Sequence, residues 1–177
     1  MQTYILLLRG VMPTGKNKVP MATLRQILTD AGYEDVRTWI QSGNVVVSTK
    51  DDAKTLSQHV RKLIQKQIGA DIAVVVKTPK EIDFVLKQMP FKGDCDPARV
   101  FYTLFNGAPQ QSLIEQIRDL DYGDEKLYVT PQAAYLYIPG SAARSKLSNN
   151  YIEKKLRITA TTRNYNTLSK LLAMSAE

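Results

Sequence analysis

Few residues in this chain are of a type that performs nucleophilic or metal chemistry. It carries one histidine, His59, and one cysteine, Cys95. A Ser-His-Asp or Cys-His unit would have to use His59. That residue falls beside Leu56, Val60 and Leu63 on a stretch of helical spacing, where a flank position serves structure more often than catalysis. Cys95 stands in Gly93-Asp94-Cys95-Asp96-Pro97, where two carboxylates oppose formation of a thiolate. The segment reads as a solvated linker, and Asp94 with Asp96 is a weak signal for Mg²⁺. Asp119, Asp121, Asp124 and Glu125 read as a charged turn. One thiol cannot close an internal disulfide, and one His with one Cys cannot build a zinc site. No metal is expected, no cofactor is indicated, and any catalysis is left to Arg, Lys, Ser, Thr, Tyr and carboxylates.

The residues that could act are those that bind anions. Arg9, Lys16, Asn17 and Lys18 lie in a glycine-containing loop, and Gln41-Ser42-Gly43-Asn44 is a polar turn. Arg offers a bidentate fork, Lys a point charge, and Gly-rich loops or helix starts offer backbone N–H groups. The spacing Gly10-x4-Gly15-Lys16 approaches the phosphate-binding loop of nucleoside triphosphatases. Asn17 stands where that motif needs Ser or Thr, which weakens a triphosphate reading. An ordinary basic loop beside a tight turn is the plain alternative.

The elements that would position these residues follow from periodicity. Residues 3–9 are apolar on both faces, as in a buried strand. Pro20 suits a first helical turn, Met21, Leu24, Ile27, Leu28 and Ala31 follow helical spacing, and Gly32 ends the helix. Residues 36–40 and 45–48 read as a hairpin around Ser42-Gly43-Asn44. A helix over 52–67 and a strand over 72–76 follow. Thr78-Pro79-Lys80-Glu81 is a capping box that opens a short helix. After an aperiodic stretch at 90–97 the order repeats. The pattern predicts a strand over 100–105, a helix over 109–120, a hairpin over 126–130 and 133–138, and a helix with Leu147, Tyr151, Ile152 and Leu156. A short strand over 158–161 and a last helix with Leu168, Leu171 and Leu172 complete it.

Both halves thus read β-α-β-β-α-β-α. The fold class expected is α+β, as two tandem ferredoxin-like (βαββαβ) units with extra helices. The first unit spans 1–89, the linker 90–98, and the second unit with its C-terminal helix 99–177. In such a unit the first and third strands are antiparallel neighbours. The loop after strand one and the turn before strand three then share one end of the sheet. Arg9, Lys16, Asn17, Lys18, Ser42 and Asn44 should therefore meet near the start of the first helix.

A second cluster lies in Thr161-Thr162-Arg163-Asn164-Tyr165-Asn166-Thr167, expected just before the last helix. A cation at a helix start opposes the macrodipole, so Arg163 could serve an anion that Asn164 and Asn166 help to hold. It could equally reach a carboxylate elsewhere. Tyr135 and Tyr137 share one strand face with Tyr128 beside them, which could stack nucleic-acid bases or pack against protein.

The chain has 177 residues, with 24 Lys+Arg, 17 Asp+Glu and a formal net charge of +7. The excess is uneven: +4 over 1–29, −2 over 30–139 and +5 over 140–177. With 44% hydrophobic and 23% charged residues, a folded core is expected rather than disorder. The apolar stretch at 4–8 is too short for a signal peptide, and no apolar run approaches the ~20 residues of a membrane span. A cytoplasmic protein is the default.

Four stretches carry a family resemblance: Leu6-Leu7-Leu8-Arg9-Gly10, Gly15-Lys16-Asn17-Lys18-Val19-Pro20-Met21, Gln41-Ser42-Gly43-Asn44-Val45-Val46, and Ala160-Thr161-Thr162-Arg163-Asn164-Tyr165-Asn166-Thr167. Together they resemble the bacterial family catalogued as domain of unknown function 1697, and the likeness runs nearly end to end. The resemblance implies an α/β, cytosolic-looking protein with no established substrate, cofactor or catalytic residue. Where members read Ile-Asn-Val-Gly-Gly, this chain has Val11-Met12-Pro13-Thr14-Gly15. The function expected is binding of an anionic, phosphate-bearing small ligand at the basic loop and turn. Nucleic-acid binding through the basic ends and the Tyr face is the weaker alternative, and an enzyme acting on a phosphorylated substrate is left open.

Overall fold

The first strand, β1 (Gln2–Leu8), is fully buried from Tyr4 onward in the computed structural model, which describes residues 1–177. Helix α1 (Met21–Asp30) follows Pro20, whose extended backbone turns the chain into the helix, and it ends ahead of Gly32 at φ +93°. Its Met21, Leu24, Ile27 and Leu28 form one buried stripe, as the 3.6-residue period requires. Strands β2 (Glu34–Thr38) and β3 (Asn44–Thr49) form the hairpin. Helix α2 (Ala53–Gln67) is capped by Asp52, which accepts from the Thr55 N–H at 2.7 Å, and β4 (Val74–Lys77) closes the sheet. The strand order is β2-β3-β1-β4, all antiparallel. Leu24, Leu28, Leu56, Val60 and Ile64 pack with Leu6, Leu8, Val45 and Val47 in one core. Each fully buried aliphatic side chain there contributes about 1.5–3 kcal/mol.

Helix α3 (Pro79–Lys87) starts on the expected capping box. The Thr78 N–H donates to Glu81 Oε2 at 2.7 Å, and the Glu81 N–H donates to Thr78 Oγ1 at 3.2 Å.

The second sheet repeats the plan. Strand β5 (Val100–Phe105) leads to α4 (Gln111–Arg118), the hairpin β6 (Lys126–Val129) and β7 (Ala133–Tyr137), α5 (Asn149–Leu156), and β8 (Ala160–Asn164). The order is β6-β7-β5-β8, again antiparallel throughout. Helix α6 (Tyr165–Ser175) ends the chain. The core of this sheet gathers Phe105, Ile114, Ile117, Leu136, Ile152 and Leu156. The fold is α+β, and each sheet with its helices has the ferredoxin-like arrangement. The chain divides into one unit of Met1–Asp83 with Ser169–Glu177, and another of Phe84–Leu168.

Two expectations need correction. Arg163 is not at the start of the last helix, because the strand expected over 158–161 runs instead as β8 over Ala160–Asn164. Arg163 therefore sits on a strand opposite Tyr102, and only Asn164 borders the helix. Cys95 is not solvated: it is buried, with Lys126 Nζ 3.4 Å from its sulfur, while Asp94 and Asp96 on either side remain exposed.

Candidate functional site

At one end of the first sheet, the loop after β1 and the turn between β2 and β3 are joined by backbone. Leu7 is the register partner of Asn44, and the Leu8 N–H donates to the Gly43 carbonyl at 2.8 Å. Arg9, half-buried, follows directly, its N–H held by the Ala73 carbonyl at 2.9 Å. The loop beyond folds on itself. The Met12 N–H donates to Asn17 O at 3.0 Å and the Lys18 N–H to Gly15 O at 3.2 Å. Lys16 and Lys18 are exposed and Asn17 is half-buried. Val19 then buries, and α1 begins two residues later. The structure thus brings the Arg9 loop and the Ser42–Asn44 turn together.

Gly43 is what permits the contact. It has φ +85°, and a Cβ there would lie 2.6 Å from Leu8 Cβ and 3.0 Å from Val11 Cγ2. Gly15 also has positive φ, +82°, but open space around it. The first glycine is required by close approach and by backbone, the second by backbone alone.

Asn44 is fully buried and shapes the turn. Its Nδ2 donates to the Trp39 carbonyl at 3.1 Å and to Ser42 Oγ at 2.9 Å, and its own carbonyl accepts from the Trp39 N–H at 3.0 Å. These bonds hold a turn in which Ile40 adopts φ +50°. A β-branched residue in that region carries roughly 1–3 kcal/mol of strain.

Trp39 also opens onto features the sequence did not single out. An open cleft of about 420 Å³ is lined by Arg25, Arg37, Trp39, Lys170, Met174 and Glu177, among others. Lys170 Nζ stands 5.0 Å from the Trp39 ring centroid, in cation–π range. Arg37 Nη1 pairs with Glu177 Oε2 at 2.8 Å, while its buried Nε has no hydrogen-bond partner. Arg25 donates to Thr38 Oγ1. The one usable signal was Trp39 itself, the chain's single tryptophan, placed just ahead of a polar turn.

In the second unit, Arg163 Nη1 donates to Thr161 Oγ1 at 2.6 Å and to the Thr162 carbonyl at 2.9 Å. Burial pushes its guanidinium down to about 10, because the charged form is poorly solvated there. Asn164 is exposed and caps α6, accepting from the Thr167 N–H at 2.9 Å. Asn166 is exposed in the first turn. A small cavity of about 180 Å³ is lined by Pro97, Ala98, Asn164, Tyr165 and Asn166.

The tyrosines divide by burial. Tyr128, Tyr135, Tyr102 and Arg163 form one cross-strand row. Tyr135 is 1% and Tyr102 3% exposed, their rings 5.6 Å apart, so neither can stack a base. The Tyr135 hydroxyl donates to the Val85 carbonyl at 2.7 Å, which is a packing role. Tyr128, on the edge strand, is 49% exposed. His59 also has a structural partner: its Nδ1 lies 2.5 Å from the hydroxyl of buried Tyr33. No group of three or more His, Cys, Asp or Glu side chains could hold a metal ion, and no helix is long and apolar enough to cross a membrane.

Residues 1–135 match the model of the family described as protein of unknown function (DUF1697). The chain belongs to that family. The match includes the loop and the turn, while the stretch around Arg163 lies beyond the matched residues. Among solved structures, the chain is similar to a conserved bacterial protein from Streptococcus pneumoniae, at 26% identity and a TM-score of 0.76, with 98% of each chain covered. No curated protein matches the chain.

Proposed function

We propose that this family member binds a small phosphate-bearing anion where the β1 loop meets the β2–β3 turn. The observation that supports this reading most is the hydrogen bond from Leu8 to Gly43. It fastens a loop bearing three cations to a polar turn. In this reading Arg9 supplies a fork to the phosphate, Lys16 and Lys18 supply charge, and Asn17 supplies an amide. Ser42 and Asn44 set the shape of the turn. In this reading Arg163, Asn164 and Asn166 are a second anion-directed cluster.

A thermal-shift measurement tests the proposal, with inorganic phosphate and pyrophosphate compared with chloride at equal ionic strength. A ligand at a hundredfold excess over Kd stabilises by about 2.7 kcal/mol. For a chain of this size that raises Tm by roughly 5–10 °C. The exposed Lys16→Ala variant should keep its baseline Tm and lose most of the shift. Absence of a shift in the native chain, or a shift in Lys16→Ala and Arg9→Ala as large as the native chain's, contradicts the proposal.

A further inference from the structure

The cleft at Trp39 lies within the unit of Met1–Asp83 and Ser169–Glu177. Its volume, about 420 Å³, is that of a small-molecule site. Three elements wall it: the edge strand β2 supplies Arg37, α1 supplies Arg25, and α6 supplies Lys170 and Met174. Two side-chain contacts cross between these walls. Arg25 donates to Thr38 Oγ1, and Lys170 Nζ stands 5.0 Å from the Trp39 ring centroid. The lining carries three cations, and Glu177 is its one carboxylate.

The pair of Arg37 and Glu177 shows what the cleft can hold. Glu177 Oε2 meets Arg37 Nη1 at 2.8 Å, while Arg37 Nε is buried without an acceptor. A guanidinium can give a carboxylate two parallel bonds, so this pair leaves the fork half used. A buried donor without an acceptor is the costly part of the arrangement. The Glu177 side chain is also 66% exposed. An ion pair so exposed contributes little, and exchanging its carboxylate for another's costs little. Beside the fork, the Trp39 indole is 36% exposed and Met174 is buried behind the lining, a surface that a flat apolar group can cover.

We propose that this cleft binds a small organic acid, a carboxylate joined to a flat apolar group, and that the Glu177 side chain is its internal competitor. The ligand carboxylate takes the Arg37 fork, Nε included, and the apolar group lies against Trp39 and Met174. Arg25 and Lys170 keep the surroundings positive. Charge draws the acid in, and the indole selects a flat one. None of these residues belongs to the β1 loop, so the site stands or falls apart from the anion proposed there.

Titration of the full chain with phenylacetate at constant ionic strength, followed by Trp39 emission, tests it. Acetate lacks the ring and phenylacetamide lacks the charge. Phenylacetate should give a saturable change, and both comparison compounds should bind at least roughly tenfold more weakly. Glu177→Gln removes the competing carboxylate at an exposed position and should tighten phenylacetate binding by roughly two- to fivefold. Arg37→Gln should weaken it by at least roughly tenfold. Arg9→Ala should leave it unchanged. The baseline Tm of each variant checks the fold. Should Arg37→Gln lower that baseline, Glu177→Gln decides, since loss of structure cannot tighten binding. No saturation in the native chain, equal affinity for acetate or phenylacetamide, or no tightening in Glu177→Gln overturns the proposal. Loss of binding in Arg9→Ala overturns it too, because the acid would then sit at the loop.

Discussion

Leu8 gives its backbone N–H to the carbonyl of Gly43, 35 residues apart in number and 2.8 Å apart in space. That bond requires the two backbones to approach so closely that no side chain fits at residue 43. Gly43→Ala adds a Cβ 2.6 Å from Leu8 Cβ at a backbone with φ +85°. It should cost about 3 kcal/mol, combining left-handed strain with a clash against a strand. Gly15→Ala meets nothing within 4 Å and should cost only about 1 kcal/mol. Urea denaturation of the two variants reads the difference. Equal costs would mean that the loop and turn are not in contact.

Asn44 links the same turn to the indole. Asn44→Ala leaves the Trp39 carbonyl without its donor and opens a small void in a buried site. A loss of about 2 kcal/mol is expected. Released from its anchor, Trp39 should become more exposed and its emission should shift to the red. A fluorescence spectrum unchanged from the native one would show that the amide does not set the turn.

The elements legible in the sequence were those whose causes are local. The capping box at Thr78 and Glu81 satisfies its own N–H groups within four residues, and it forms as read. The convergence of the Arg9 loop and the Ser42–Asn44 turn also followed, because strand order fixes it once the ferredoxin-like plan is recognised. What escaped depends on distant partners. The strand expected over 158–161 runs on to Asn164, since Thr162 and Arg163 show no apolar alternation and join it by pairing with β5. Cys95 has the flanks of a solvated loop and is buried through long-range packing. The cleft at Trp39 needs Lys170 and Glu177 from the far end of the chain, which no local pattern announces.

The capping box gives a further prediction. Thr78→Ala removes the side-chain acceptor of the Glu81 N–H and breaks the reciprocal contact. It should cost about 1 kcal/mol by urea denaturation, as N-caps of this kind do. Thr78→Ser, which keeps the hydroxyl, should cost much less. Equal losses in the two variants would place the effect elsewhere than in the cap.

Alkaline pH should act through the buried phenols. Burial foremost, with Asp51 adding to it, pushes Tyr33 up to about 12, and burial pushes Tyr135 up to about 12 as well. Both folded values are raised, so the stability they contribute is complete below pH 10 and is lost as pH climbs from 10 to 12. Arg163 works in the opposite sense, since its folded value is depressed to about 10. The cost of burying its charge is relieved as pH rises past 10. Tyr135→Phe should lose about 1 kcal/mol at neutral pH with the hydrogen bond to Val85, yet decline less between pH 10 and 12. Arg163→Met should make the decline steeper. Urea midpoints across that range decide, and parallel curves for all three proteins would contradict the assignment.

The most direct test of anion binding at the loop and turn uses Trp39, the chain's single tryptophan, as reporter. Its backbone is bonded to Asn44, so an anion seated between the Arg9 loop and the turn should alter its surroundings. Titration with pyrophosphate at constant ionic strength should give a saturable change in Trp39 emission. The midpoint should move to at least roughly tenfold higher concentration in Arg9→Ala and in Lys16→Ala, as expected when a charge-assisted contact worth about 1.5–3 kcal/mol is removed. A linear, unsaturable response, or the same midpoint in all three proteins, would contradict the account.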